Sequence, residues 1–424
     1  MKRYAKSSSL SQRFRLGFLL AATAFVLLAV RPAAAQHQKP TVRAITAFVK
    51  LDRARYEAQI AETLVMLRKA KAAIERTGYD VQSLRVVTQP FPDYTRGLTP
   101  AQTLEFMRRY EALAVKEDFV ANIGPALLHA RDDLANVALL AEILSGTKDL
   151  NASAVVADES GVRWDAVRAT AKLLKEVAAR TPHSQGTFNF TATALVPEYT
   201  PFYPGGWHEG AGKRFSIGLQ AANVVDEVFA ANAGNAEAAR EKLAAAMAEH
   251  CKKLEQSALA IEKETGWTHM GIDPTPAPLK DVSIGAAIEK FTSARFGSSG
   301  TMTAAAVITQ AIQSLPVKRV GYVGLMLPVL EDTRLAQRWS EGGLTIDMML
   351  AYSAVCGTGL DTIPLPGDVS EKQLARILGD MATLAVKWKK PLSARLQPVA
   401  GKKAGDRTDY NDPFLVNATL QKLP

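Results

Sequence analysis

The sequence predicts an α/β protein built on a mostly parallel sheet. Three observations predict it: short β-branched runs alternate with amphipathic helices, those helices are long enough to serve as crossovers between parallel strands, and no Ser- or Gly-rich linker or low-complexity tract interrupts residues 36–424. So many alternating units fit either a doubly wound sheet or a closed barrel, and in both the chemistry belongs in loops beyond strand ends. One domain over 36–424 is the expected organisation.

The first residues stand apart. Residues 1–15 carry basic side chains and no acid, residues 16–30 are an unbroken apolar and small-residue run, and Ala33-Ala-Ala35 offers small residues for cleavage. Residues 1–35 therefore read as a secretory signal peptide, and the apolar run is short for a membrane-spanning helix. Export to the periplasm or medium, with no stable membrane span after cleavage, is the expectation. Removing the leader takes away Lys2, Arg3, Lys6, Arg13, Arg15 and Arg31, so the formal charge of +9 falls to about +3. Nucleic acid is thus a poor partner, because the electrostatic attraction that dominates such binding has no concentrated source. The expected partner is a small-molecule ligand, with a homo-oligomer left open. Cys251 and Cys356 are the only cysteines, and sequence does not say whether they approach each other.

Taken in order, residues 42–51 read as a strand, and 53–76 as a helix with Ile60, Leu64, Leu67, Ala70 and Ile74 at helical spacing, stopped by Gly78. A strand over 84–88, a helix capped by Thr99 and running to 116, and a strand over 119–123 follow. The rhythm continues with a helix over 131–144, a strand over 152–157, a helix over 164–179 and a strand over 188–196. Residues 197–213 then form a loop around Trp207-His-Glu209. Helices are expected over 218–231 and 236–265, and a strand over 268–273 that ends in Asp273-Pro-Thr-Pro-Ala-Pro278. Next come a helix over 284–294, a glycine loop over 296–301, a helix to 315, a strand-like run over 319–327 and a short helix over 335–341. The stretch Tyr352-Ser-Ala-Val-Cys-Gly-Thr-Gly-Leu-Asp-Thr-Ile-Pro-Leu-Pro-Gly-Asp368 follows, with a thiol, three glycines and two carboxylates. Its prolines predict a stiff extended loop before a helix over 370–388 and a strand over 392–399.

The irregular loops carry the candidate chemistry. Cys356 as nucleophile, with His208 or Glu209 as base and Asp361 nearby, would give acid/base or covalent catalysis, with main-chain N–H groups at Gly357 and Gly359 approaching a ligand. Asp273, Lys402 and Lys403 complete the substrate-binding candidates. Asp273, Glu331 and Asp332 could instead hold a divalent metal. Simpler roles stand beside these: Glu331 and Asp332 precede a helix they can cap, Asp273 before Pro274 suits an Asx turn, and Cys356 suits a buried core position. No HExxH, CxxC pair, Gly-x-Ser-x-Gly or Walker pattern is present.

The strings Val42-Arg-Ala-Ile-Thr46, His208-Glu-Gly210, Gly271-Ile-Asp-Pro-Thr-Pro-Ala-Pro278, Gly321-Tyr-Val-Gly-Leu-Met-Leu-Pro-Val-Leu-Glu-Asp332, the 352–368 stretch and Pro398-Val-Ala-Gly-Lys-Lys-Ala-Gly-Asp406 resemble the family of domain of unknown function 711. The resemblance implies a closed ten-stranded α/β barrel of parallel halves with surrounding helices, like that of pyruvate formate-lyase and other glycyl-radical enzymes, and no established activity. A glycyl radical is not expected. The C-terminal Arg-Val-x-Gly-aromatic signature of those enzymes is missing, since Leu396, Gln397 and Pro398 follow Arg395. The functional expectation is a non-radical enzyme using acid/base or metal-assisted chemistry on a small polar substrate. The alternative is a periplasmic binding or scaffold protein.

Overall fold

The computed structural model describes residues 38–423. The predicted leader lies outside the described residues. Alternation begins with strand β1 (Thr41–Val49), helix α1 (Tyr56–Glu75), β2 (Leu84–Thr88), the short α2 (Phe91–Thr95), α3 (Pro100–Glu117), β3 (Val120–Pro125), α4 (Ala135–Gly146), β4 (Asn151–Asp158), a two-residue β5 (Gly161–Val162), α5 (Trp164–Arg180) and β6 (Phe190–Ala194). It continues with β7 (Arg214–Gln220), α6 (Ala222–Ala231), α7 (Ala236–Thr265), β8 (Thr268–Asp273), α8 (Ile284–Thr292), α9 (Thr301–Gln313), α10 (Thr333–Ser340), α11 (Ile346–Ser353), β9 (Gly359–Pro366), α12 (Glu371–Trp388) and β10 (Leu392–Val399). Thr99 caps α3 and Ser370 caps α12, each in a capping box with a glutamine three residues on.

One mixed sheet of ten strands runs β8-β7-β1-β2-β3-β4-β6-β10-β9, with β5 beside β4. Strands β1, β2, β3, β4 and β6 are mutually parallel; β7 meets β1 and β10 meets β6 in antiparallel register. The closed barrel implied by the family resemblance is not what the structure shows. Strands β8 and β9 end the sheet, and the strand-like run 319–327 joins neither in a ladder. It makes only the single bridges Ile272–Arg319 and, just beyond it, Pro328–Asp361. The reason is local. Four consecutive N–H groups donate to side chains: Tyr322 and Val323 to the Asp273 carboxylate (2.8 and 3.2 Å), Gly324 to Thr275 Oγ1 (3.1 Å) and Leu325 to Thr309 Oγ1 (3.2 Å). A backbone whose donors are already satisfied has none left for a strand partner.

Two further elements differ from the sequence reading. The helix expected over 218–231 starts only at Ala222, because Arg214–Gln220 is strand β7, with Phe215, Ile217 and Leu219 buried on one face. The stiff loop expected around Pro364 and Pro366 is strand β9. Two prolines are tolerated there because β9 ends the sheet, and lying two residues apart they place their missing donors on one side, away from the ladder with β10.

The sheet's two faces differ in kind. Alternate strand residues such as Ile45, Ala47, Val86, Ile123, Ala154, Ala192, Ile217, Leu360 and Leu396 join the helices in one continuous apolar core. The residues between them, among them Thr46, Arg85, Asn122, Thr191, Ser216, Ser393 and Arg395, form a polar face. Loop 196–209 covers that face with its backbone and with Tyr203: Thr46 Oγ1 donates to the Pro201 carbonyl (3.1 Å), Asn122 Nδ2 to the Pro204 carbonyl (2.7 Å), and the Tyr203 side-chain hydroxyl to the Val86 carbonyl (2.7 Å). A small apolar cluster of Val196, Phe202, Ala277, Tyr322 and Met326 joins this loop to segment 322–326.

Candidate functional site

Two irregularities in otherwise regular strands load the polar face with charge. A register shift at Val42/Ala44 breaks the alternation of β1 and leaves Arg43, like Ala44, on the polar side. In β9 an extra residue at Asp361-Thr362, opposite the Ala394/Leu396 step of β10, puts two successive side chains on that side, with Thr362 at φ +48°. Arg395 of β10 and Arg85 of β2 reach the same region by simple alternation.

There the side chains form one buried ion cluster. Arg395 Nε donates to Asp361 Oδ1 at 2.8 Å, and its Nη2 donates to Glu331 Oε1. Arg43 Nη2 donates to the other oxygen of Glu331 at 2.6 Å, and its Nη1 to Gln220 Oε1 at 3.1 Å. Glu331 is thus clamped between two guanidiniums. Arg85 differs: Nε donates to Ser83 Oγ (3.0 Å), Nη1 to the Pro201 carbonyl (3.5 Å), and its guanidinium stacks 4.7 Å from the Tyr203 ring centre, with no carboxylate partner among the described residues. Three guanidiniums therefore face two carboxylates, and the excess charge resides on Arg85.

The proton affinities follow from this arrangement. Burial pushes Glu331 up, but Arg395 and Arg43 outweigh it and hold the carboxyl below its usual range. Asp361, also buried, has Arg395 beside it but Glu331 opposing, and its net displacement is upward. Burial, then repulsion from Arg43, lowers Arg85 to about 10. A narrow crevice of about 10 Å³, room for no more than about one water molecule, lies beside the cluster, lined by Thr191, Tyr203, Tyr322, Thr358, Asp361, Ser393 and Arg395. The Tyr322 hydroxyl donates to Ser393 Oγ (3.0 Å), which donates to the Thr358 carbonyl (3.1 Å).

Of the residues singled out in the sequence, the structure brings Glu331 and Asp361 together through Arg395. The others lie elsewhere. Asp273 is fully buried, accepts from the Thr275 N–H and hydroxyl (3.1 and 2.6 Å) and pins segment 322–323; burial raises it to about 6. Asp332 caps α10 and accepts from Ser283 Oγ (2.6 Å) and the N–H groups of Ile284 and Gly285. Cys356 is buried with Lys390 donating to its carbonyl, and Cys251 is likewise a buried free thiol. Gly324 and Gly357 touch, since a Cβ on Gly324 would lie 2.7 Å from the Gly357 Cα, and Gly359 (φ +93°) lies against Ser393. These glycines admit neighbouring backbone. Lys402 lies 3.4 Å from Asp409, and Lys403 is exposed. Among the described residues no three His, Cys, Asp or Glu side chains come together as a metal site.

His208 is a buried prop, with Nε2 3.1 Å from the Val49 carbonyl and its ring packed on Phe48, while neighbouring Glu209 is exposed and pairs with His129 at 2.7 Å. Burial lowers His208 to about 4, and burial together with Lys318 lowers His269, packed on Phe215, to about 4. A depressed histidine adds stability above its ordinary pH of about 6.5 and loses it as pH falls through 4, whereas raised Asp273 adds stability in acid and loses it as pH rises through about 6. Each effect is on the order of 3 kcal/mol, and the raised carboxyls Asp332 and Asp361 act in the same direction as Asp273, so the histidine contribution is read by difference. On acidification from pH 6.5 to 4 in urea denaturation, His269→Leu should lose about 3 kcal/mol less stability than the wild type; an equal change in both proteins would refute the assignment.

Arg43, Arg85 and Arg395 went unremarked in the sequence as site residues. Their signal was present: each is a cation inside a strand whose neighbours are apolar, where an arginine is seldom buried without a partner.

Comparison with known proteins places the chain. Residues 34–411 match the profile of a family described as Uncharacterised ACR, DUF711. This chain belongs to the DUF711 family. It is 33% identical over 365 residues to a UPF0210 protein of Pyrobaculum aerophilum, covering 81% of this chain and 80% of that one. It is 27% identical over 370 residues to a UPF0210 protein of Leuconostoc mesenteroides (81% and 80% covered) and 28% identical over 324 residues to one of Methanocaldococcus jannaschii (70% and 68% covered). The DUF711 strings recognised in the sequence supply Arg43, Tyr322, Glu331 and Asp361, which meet on or beside the polar face, and Asp273, which pins the segment that carries Tyr322. Among the described residues no helix is long and apolar enough to cross a membrane.

Proposed function

We propose that this DUF711 protein is an enzyme acting on a small polar substrate that carries one anionic group, a carboxylate or phosphate. The substrate enters beside Tyr203, Tyr322 and Arg395 when loop 196–209 moves aside to bare Arg85, because the crevice as it stands holds only about 10 Å³ and Arg85 is not among its walls. The observation that carries the reading is the guanidinium of Arg85, half-buried beside two other guanidiniums and without a carboxylate of its own. A cation held that way is costly unless an anion completes its hydrogen bonds, and guanidinium forks match planar carboxylates and phosphates. Asp361 supplies the acid/base group: its Oδ1 accepts from Arg395 while burial and Glu331 favour the protonated form, which puts a transferable proton at the crevice wall. A passive binder would line the crevice with neutral hydrogen-bonding groups, whereas here titratable Asp361 and Tyr322 are displaced from their ordinary ranges.

The test is calorimetric titration and thermal shift with phosphate and a panel of short mono- and dicarboxylates. At least one anion should raise the melting temperature of the wild type, and Arg85→Gln should weaken it by roughly 10- to 100-fold. Arg85→Gln should itself melt no lower than the wild type, because the substitution removes a half-buried cation that has no carboxylate partner among the described residues. Equal binding by both proteins, or no binding by either, would sink the reading.

A further inference from the structure

The opposite end of the parallel block presents a second, separate opening. The β1–α1, β2–α2 and β3–α4 connections leave the carboxyl ends of three adjacent parallel strands. Two cavities of about 640 and 380 Å³ lie there, joined at Asp93 and Arg96, which line both. Their walls carry Lys50, Arg96 and Arg131, whose side chains make no hydrogen bond or ion pair among the described residues, and Arg53, bonded only to the Tyr94 and Arg96 carbonyls; the wall carboxylates Asp52, Asp132, Asp133 and Glu209 are already engaged, with the N–H groups of Ala54, of Leu128 and His129, and of Ala135, and with the His129 ring respectively. The Asp93 carboxylate, which lines both cavities, also has no hydrogen-bond partner among the described residues.

These loops are held in place from behind. The buried Gln89 amide makes two hydrogen bonds with the Leu51 backbone (2.8 and 2.9 Å), tying the first connection to the second. Buried Arg163 donates to the Leu128 and His129 carbonyls, while Asp132 accepts from both their N–H groups at 2.7 Å. His129 is in turn oriented by Glu209. The walls are therefore fixed without a ligand, and the side chains left unengaged are the cations and one carboxylate. That combination is specific. Separated cations suit a ligand with two anionic groups, and a single carboxylate among them suits a magnesium ion, which takes one or two protein carboxylates plus phosphate oxygens and keeps its waters.

We propose that this cleft binds a magnesium-chelated diphosphate group of a small molecule, with Arg96 and Arg131 on the phosphate oxygens and Asp93 on the metal. The assignment does not depend on the polar-face crevice.

Titration of the purified protein with pyrophosphate, with magnesium and with EDTA, tests it. Wild type should bind at least tenfold more tightly with magnesium; Arg96→Gln and Arg131→Gln should each weaken binding at least tenfold; Asp93→Asn should retain metal-free binding and lose the magnesium gain. Arg85→Gln should match wild type here. The three cleft positions are exposed, so the cleft variants should melt within a few degrees of the parent. Magnesium-independent binding in the wild type, wild-type behaviour of the three cleft variants, or loss confined to Arg85→Gln would each overturn the proposal.

Discussion

Arg395→Met should be among the most destabilising single changes in the protein, at about 3–5 kcal/mol in urea denaturation at pH 7. The substitution keeps most of the side-chain volume but removes the guanidinium shared by Asp361 and Glu331, leaving Asp361 without an ion-pair partner and Glu331 with Arg43 alone. Two carboxylates buried with one cation between them cannot both stay ionised cheaply, so their proton affinities rise above those of the unfolded chain. The sign follows: such groups stabilise the fold below the unfolded carboxyl range and lose that contribution as pH rises through the folded value. The deficit relative to wild type should therefore shrink in acid. Adding Glu331→Gln to Arg395→Met should recover part of the loss at neutral pH, because one buried charge is removed. A loss under about 1 kcal/mol, of the size typical for exposed ion pairs, would mean that the cluster is solvated and contributes little.

Asp332→Ala should cost a similar amount by a different route. The carboxylate accepts from Arg334 and Leu335 N–H at the start of α10 (2.9 and 3.0 Å), from Ile284 and Gly285 N–H at the start of α8 (2.7 and 3.2 Å), and from Ser283 Oγ. One buried side chain thus closes the first turns of two helices and ties them together. Loss of a single cap costs roughly 1 kcal/mol and each stranded buried donor about 1–3 kcal/mol, so a combined penalty of about 3–5 kcal/mol is expected. Asp332→Asn retains one acceptor oxygen and should cost less than alanine. Burial already raises the Asp332 carboxyl, so the asparagine variant should also show a weaker dependence of stability on pH than the parent. If alanine and asparagine behave alike, the capping geometry is not the source of the effect.

Much of the α/β alternation was legible along the chain because it depends on local periodicity. Ile60, Leu64, Leu67, Ala70 and Ile74 fall on one helical stripe wherever α1 packs, and Thr99 caps α3 whatever lies beyond it. The polar cap role of Asp332 was legible for the same reason. Three features needed the third dimension. Whether the 319–327 run joins a ladder is decided by Asp273, Thr275 and Thr309, side chains distant in sequence that take its N–H groups, so a strand-like string becomes a loop and the sheet stays open between β8 and β9. Whether two prolines break a strand depends on its being at the sheet's end, as β9 is. The charge cluster is likewise assembled from β1, β2, β9 and β10 and the segment before α10, and it exists only because strand order puts Arg395 next to Asp361 and folds Glu331 between two arginines. Hydrophobic period and capping chemistry act within a few residues and are written in the chain, whereas hydrogen-bond competition, edge position and charge pairing act between segments tens to hundreds of residues apart and were settled only when the sheet formed.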